Sequence, residues 1–160
     1  MGKQLAKRKP VAKAIALKKQ TDVFTIIGLN KFLSPDEINS FKIIDVIRKG
    51  LPMGILNKLA MLMSFKPKDV APIINVSERT LQRYVPSKLL DKETSLKTIQ
   101  LASLYENGVQ LFGSVERFNE WMNAEILALG QKKPIEFIDT SVGINEVQKI
   151  LVRIQHGVYS

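Results

Sequence analysis

Apolar residues recur along most of this chain at the three- and four-residue spacings of amphipathic helices, with helix starts and stops between them. Between Met53 and Ser64, Leu56, Leu59, Ala60 and Met63 fall at i, i+3, i+4 and i+7. Val147, Ile150, Leu151 and Ile154 repeat that spacing in a last helix predicted from about Ile144 to Gln155, with Gly157 as its C-cap. Ser34-Pro35-Asp36-Glu37 reads as a helix start, with Ser as cap, Pro in the first turn and acids behind it. From there Ile44, Ile47 and Leu51 share a helical face; Phe41, Ile43 and Ile47 also tolerate a strand, but helix is favoured. After Phe65-Lys66-Pro67 the pattern gives a short helix over Lys68 to Ile74 and a turn at Asn75-Val76. Ser77 then caps a second short helix, Glu78 to about Val85, which Pro86 ends. Residues 95–112 form a long, mostly apolar helix ending at Gly113. Ser114 caps another, running to about Leu129 with Val115, Phe118, Trp121 and Met122 on one face; Gly130 ends it and Pro134 opens a short helix. Residues 22–33 are apolar without a clear period, which leaves helix and strand undecided there. The expected fold is all-α.

The two short helices around residues 67–85 have the size of a helix-turn-helix. In the second, Leu81 points inward with Val76 and Tyr84, which leaves Arg79, Gln82 and Arg83 together on the outer face. Arginine reads guanine and glutamine reads adenine through paired bonds in the major groove, and a Ser-capped helix start suits a phosphate. Ser77, Arg79, Thr80, Gln82 and Arg83 are therefore the candidate DNA-binding residues. The plain alternative is a solvated face of ordinary helix formers.

Charge adds a second clue. The 160 residues hold 24 Lys and Arg against 15 Asp and Glu, a net +9. Seven of the cations (Lys3, Lys7, Arg8, Lys9, Lys13, Lys18 and Lys19) lie in residues 1–21, which carry no acid. That stretch reads as a disordered basic arm, either a solvated tail or a segment that finds DNA phosphates and releases counterions. It has neither the Ser or Thr of a myristoylation signal at Ala6 nor a secretory cleavage pattern. No apolar run approaches the roughly 20 residues of a membrane span, so a cytoplasmic protein with no membrane partner is expected.

The absence of cysteine excludes disulfides, cysteine-based zinc sites and cysteine nucleophiles. The single histidine, His156, leaves no multi-histidine metal cluster and suits a helix C-terminus better than general base chemistry. Trp121, at helical spacing from Phe118, reads as core. Asp36-Glu37 is a helix start, and Glu116 with Glu120 is an exposed i, i+4 pair. The chain thus reads as a binder, with no catalytic residue, metal site or cofactor expected.

Gly50-Leu51-Pro52 followed by Val76-Ser77-Glu78-Arg79-Thr80-Leu81-Gln82-Arg83 resembles the Xre-like antitoxin N-terminal domain. A later ordered set is similar to the Xre/MbcA/ParS toxin-binding domain. It comprises Leu111-Phe112-Gly113-Ser114, Trp121, Leu129-Gly130, Pro134-Ile135, Thr140 with Gly143, Val147, Leu151, Arg153-Ile154 and His156-Gly157-Val158-Tyr159. The resemblance covers about residues 43–160. It implies an antitoxin of a type II toxin–antitoxin pair, whose N-terminal part binds its operon's promoter DNA and whose C-terminal part occupies a RES-domain toxin that consumes NAD. With the basic arm and residues 22–33 outside the resemblance, the expected organisation is an arm over 1–21, a helix-turn-helix domain over 22–105 and a toxin-binding domain over 106–160. Assembly as a homodimer, or as a larger hetero-oligomer with the toxin, follows from the need for paired DNA half-sites.

The amphipathic last helix runs straight into Gly157-Val158-Tyr159-Ser160, a tip suited to filling a partner's cleft. With that helix packed on the Trp121 helix, Lys149, Arg153, His156, Gly157, Val158, Tyr159 and Ser160 become the candidate toxin-binding residues. The competing reading is a stand-alone transcription regulator whose C-terminal helices serve only dimerisation. A small hydrolase lacks any nucleophile–base constellation.

Overall fold

The computed structural model describes residues 22–158, and the basic arm lies outside the described residues. All regular elements among those residues are helical, as the sequence predicts. They are α1 (Val23–Ile27), α2 (Lys42–Lys49), α3 (Met53–Leu62), α4 (Pro67–Val70), α5 (Glu78–Leu81), α6 (Lys92–Phe112), α7 (Val115–Met122) and α8 (Ser141–Gln155). Short 3-10 turns stand at Leu29–Lys31, Pro35–Glu37, Leu127–Leu129 and Pro134–Phe137. None of the described helices is long and apolar enough to cross a membrane.

The centre of the molecule is α6. Asp91 caps it by accepting the Thr94 N–H at 2.7 Å, so the helix begins three residues before the apolar run that predicted it. Its buried residues include Ile99, Leu101, Ala102, Leu104, Tyr105 and Val109, spread around the cylinder, as expected of a helix enclosed by others. α1, α2, α3, α7 and α8 all pack against it, and one continuous apolar cluster reaches from Val23 to Leu151. α3 buries Leu56, Leu59, Ala60 and Met63, the four positions its spacing singled out.

Other elements depart from the expected boundaries. The segment after Ser34 is no continuous helix. Ser34 and Glu37 close a capping box around a single 3-10 turn, Lys42 pairs with Glu37 at 2.9 Å, and α2 starts only at Lys42. Val46 is its buried residue, with Ile43 and Ile47 packed beside it, while Ile44 is exposed. Leu51 reaches the core from an extended segment beyond Gly50, where the Leu90 N–H donates to its carbonyl at 2.8 Å. Gly50 is required there: its φ is +83°, and a Cβ would collide with the Leu90 carbonyl oxygen. The helix after Ser114 stops at Met122 and does not reach Leu129, because Asn123 leaves helical geometry at φ −101°, ψ 0°. Residues 22–33, without period in the sequence, supply Val23, Phe24, Ile27, Leu29 and Leu33 to the core from a five-residue helix and a 3-10 turn.

α8 begins at Ser141, not Ile144. Thr140 caps it through its hydroxyl, which accepts the Gly143 N–H at 3.1 Å. It packs on α6 and on the turn at Pro134–Phe137, whereas the sequence reading had placed it on the Trp121 helix. Gly143 lies so close to the Phe137 carbonyl oxygen that a Cβ would overlap it. The Thr140 and Gly143 pair is thus a cap and a close approach in one turn.

Glu106 anchors α1 from α6. Its Oε2 accepts the Val23 N–H at 2.7 Å and its Oε1 accepts from the Gln110 amide at 2.7 Å. Burial raises its carboxyl above the ordinary 4.5, with the nearby Asp22 charge adding to the effect and the Gln110 and Val23 hydrogen bonds opposing it.

Two expectations follow from this packing. Alanine normally stabilises a helix interior over glycine by about 1 kcal/mol, but Gly143→Ala should destabilise the protein by about 1–3 kcal/mol, because backbone must move. Urea unfolding reads the sign. Glu106 takes its proton earlier in the folded than in the unfolded chain, so its contribution to stability declines as pH rises from 4.5 through the raised folded value. Glu106→Gln retains an acceptor for Val23 and should flatten the pH dependence of the urea midpoint; an unchanged slope would assign it to other groups.

Candidate functional site

The first surface is built on α4 and α5. Asp69 accepts the Lys66 N–H at 2.8 Å and starts α4. The chain then turns through Asn75 at φ +57°, and Val76 donates to the Ala71 carbonyl at 3.1 Å. Ser77 caps α5 as expected, its Oγ accepting the Thr80 N–H at 3.2 Å and lying 3.0 Å from the Thr80 hydroxyl. Val70, Ala71, Ile73 and Ile74 are buried beneath, and Val76, Leu81 and Tyr84 pack partly buried against the core. Lys97 of α6, itself buried, donates to the Ile73 carbonyl at 3.3 Å and pairs with Glu93 at 3.1 Å, fixing the turn from below.

Arg79, Gln82 and Arg83 are all exposed. Among the described residues neither arginine is in an ion pair, so both guanidinium groups are available to a partner. The α-helix itself is shorter than the sequence suggested and ends at Leu81, not near Val85. Arg83 and Tyr84 continue it by donating three residues back, at 3.1 and 3.0 Å, before Pro86. Gln82 keeps α-helical register with Arg79, its N–H donating four residues back to the Glu78 carbonyl at 3.0 Å, and the tighter turn begins at Arg83. Thr80 is half-buried with its hydroxyl held by Ser77, which makes it a local brace. α4 is likewise shorter than Lys68 to Ile74, ending at Val70.

The second surface lies around the end of α8. Gly157, at φ +75°, donates to the Ile154 carbonyl at 3.0 Å, and Val158 donates to the Arg153 carbonyl at 2.8 Å. These are the two bonds of a Schellman end turn, and they fold Val158 back along the helix. Val158 there lines an apolar groove of about 110 Å³ with Trp121, Ile126, Leu127, Ile150 and Ile154, and Arg153 stands at its polar edge. The loop after α7 holds the opposite wall: Ile126 donates to the Lys132 carbonyl at 3.1 Å, and Gln131 donates to the Ile126 carbonyl at 3.0 Å. Leu127 is left 76% exposed.

Of the predicted toxin-binding residues, the structure brings Arg153 and Val158 into this groove. His156 and Gly157 are exposed beside it without lining it, and Lys149 is engaged by Glu146 at 2.7 Å. Tyr159 and Ser160 lie outside the described residues. Trp121 was read as core; it is half-buried, stacked 5.7 Å from Phe118 on one side and open to the groove on the other. Ile126 and Leu127 were missed altogether. Their signal was present: two adjacent aliphatics between a helix end and Gly130 that serve no helical stripe. The described residues contain no acid or histidine grouping able to hold a metal ion.

Comparison with known proteins bears on both surfaces. The antitoxin Xre-like helix-turn-helix domain matches residues 42–103, and the antitoxin Xre/MbcA/ParS C-terminal toxin-binding domain matches residues 107–157. The chain belongs to the Xre/MbcA/ParS family of antitoxins. An "Antitoxin Xre" of Photorhabdus laumondii is 26% identical over 117 residues, 72% of this chain and 79% of the relative. One of Yersinia enterocolitica is 23% identical over 120 residues, 74% and 81% of the two chains. A "Prs ADP-ribosylating antitoxin" of a Sphingobium species is 25% identical over 127 residues, 73% and 80%. The exposed arginines fall in the first matched segment and the apolar groove, but for Val158, in the second, with α6 running from one into the other.

Proposed function

We propose that this antitoxin neutralises a RES-domain, NAD-consuming toxin by covering its active-site cleft with the C-terminal region, and represses its own operon by binding promoter DNA. It acts in the cytoplasm by binding, without catalysis. The observation that carries the reading is the apolar groove of Trp121, Leu127, Ile154 and Val158, all but Val158 within the matched segment 107–157. An exposed aliphatic beside a half-buried tryptophan, with one arginine at the edge, is the composition of an interface centre. The toxin-facing set is then Arg153, His156, Gly157 and Val158 with Tyr159 and Ser160, extended by Leu127 and Trp121; Lys149 contributes at the rim. On the other surface Arg79, Gln82 and Arg83 read base edges, Ser77 and Thr80 hold the helix start, and the basic arm adds affinity independent of sequence.

Each half has its own test. Leu127→Asp changes an exposed side chain, so it should leave the thermal midpoint and promoter binding intact while losing protection against a coexpressed RES toxin. Truncation after His156 should lose protection too, with some loss of stability because the two end-turn hydrogen bonds go with it. Full rescue of growth by both variants would remove the groove and the tip from the inhibitory contact.

For DNA, Arg79→Ala or Arg83→Ala should weaken binding to the cognate promoter by roughly 1–3 kcal/mol, with toxin binding unchanged. Gel shifts decide this; folded variants with parental affinity would exclude the helix as the reader.

A further inference from the structure

The loop after α7 holds a backbone conformation that one of its residues does not suit. Ile126 and Lys132 face each other across it. The Ile126 N–H donates to the Lys132 carbonyl at 3.1 Å, and the Gln131 N–H donates to the Ile126 carbonyl at 3.0 Å. Between these bonds the 3-10 turn Leu127–Leu129 ends at Gly130. The chain then returns through two successive left-handed residues, Gly130 at φ +65° and Gln131 at φ +63°. Gly130 adopts that region without steric cost, whereas at Gln131 it crowds the Cβ against the following carbonyl oxygen.

Two other non-glycine residues among the described ones have positive φ, Ser64 at +59° and Asn75 at +57°, and each has a local reason. Ser64 closes α3, where the Phe65 N–H donates back to the Ala60 carbonyl at 2.8 Å. Asn75 makes the turn between α4 and α5, and asparagine visits the left-handed region readily. Gln131 has neither reason. Its side chain is exposed and adds little to the packing, and a glycine would make the same two backbone bonds with less strain. Strain held at a side chain that the fold does not use marks a functional position. Its place on the molecule says which function. Ile126, Leu127 and Ala128 of this loop line the apolar groove, and Gln131 stands exposed on the same loop outside the lining.

We propose that Gln131 is a specificity-determining residue of the toxin contact, its carboxamide hydrogen-bonding to a main-chain peptide group on the toxin. This rests on the toxin-facing role proposed for the groove. A carboxamide offers a donor and an acceptor together, which matches the C=O and N–H of a peptide backbone. An acidic group on the toxin would instead pair with the cations beside it. Arg153 stands at the groove edge and Lys132 is next in the chain, and neither is in an ion pair among the described residues. The loop is tied on both sides of its tip, so the side chain leaves a backbone already fixed and little ordering remains to be done on binding. A toxin without the matching group leaves the carboxamide covered and unpaired, which lets one residue discriminate between related partners.

Calorimetric titration of full-length variants with a RES-domain toxin that copurifies with the parent chain separates contact from fold. Gln131→Gly relieves the backbone and removes the carboxamide, so the thermal midpoint should rise by about 2–4 °C while affinity for the toxin falls roughly tenfold. Gln131→Ala keeps the backbone constraint and should lose the same affinity with the midpoint near that of the parent. A residue that only shaped the loop would move stability and affinity in the same direction. Parental affinity in both variants, or a Gln131→Gly midpoint at or below that of the parent, would overturn the assignment. Leu127→Asp in the same titration tells the two readings apart. If it loses affinity while both Gln131 variants bind like the parent, the groove stands and the assignment of Gln131 falls. If all three bind like the parent, both fall.

Discussion

The structure depends on what α6 does with its polar side chains. Thr94, Ser95, Lys97, Thr98 and Glu106 are the buried polar and charged residues among the described part of the chain, and all five are on this helix. Three of them hold other elements. The Leu51 N–H donates to Ser95 Oγ at 3.0 Å, Lys97 reaches the Ile73 carbonyl, and Glu106 receives the Val23 N–H. Tyr105 adds a fourth link, donating to Asn119 Oδ1 at 2.7 Å while the Asn119 amide donates to the Leu62 carbonyl at 3.1 Å. Burial pushes the Tyr105 phenol well above its ordinary value, so it remains a donor at any physiological pH. Apolar packing alone would let the short helices slide along α6. Directional bonds that are costly to leave unmade fix where each one docks.

That arrangement explains how two unlike surfaces share one small domain. α5 is a single α-helical turn and has no independent stability, so the direction in which Arg79 and Arg83 point is set by Leu81, Tyr84 and the Lys97-held turn beneath. The apolar groove at the end of α8 is set in the same way, with Phe118 edge-on to Tyr105 at 4.8 Å and stacked on Trp121 behind it. The Tyr105–Asn119–Leu62 chain ties the end of α3 to α7, so the elements under the two surfaces meet at one buried residue of the central helix.

Legibility in the sequence followed periodicity. α3 and α8 each bury one stripe, and their spacing named Leu56, Leu59 and Ala60 on the first and Val147, Ile150 and Leu151 on the second. Ser77, Ser114 and Gly113 act locally, so their roles as caps could be read from residue type. Residues 22–33 failed because five-residue α1 and the following 3-10 turn are too short to develop a period. α2 misled because Ile44 satisfies helical spacing yet faces water, while the buried Leu51 is delivered by a Gly50 close approach that spacing does not encode. The apolar groove proposed to face the toxin was half legible. Arg153 and Val158 came from the final helix and its end turn, but Ile126 and Leu127 sit on a loop whose position depends on the bond to Lys132. The short reach of α5 was illegible for a related reason: Pro86 limits only the residue before it, and the 3-10 continuation reflects how Tyr84 packs.

The placement of charge completes the physical picture. Seven of the 24 cations lie in the arm, and the remainder of the chain is close to balance, 17 against 15. A core domain near neutrality can present apolar patches at Leu127 and Phe41 without strong self-repulsion, which a uniformly basic surface would impose. Long-range attraction to phosphate needs only density of charge, which the sequence concentrates in residues 1–21. Base reading, proposed above for Arg79, Gln82 and Arg83, needs fixed direction, which the turn braced by Ser77 and Lys97 supplies. On the proposed reading the two tasks are separated along the chain, contact falling to residues 22–158 and the long-range field to the cations of residues 1–21.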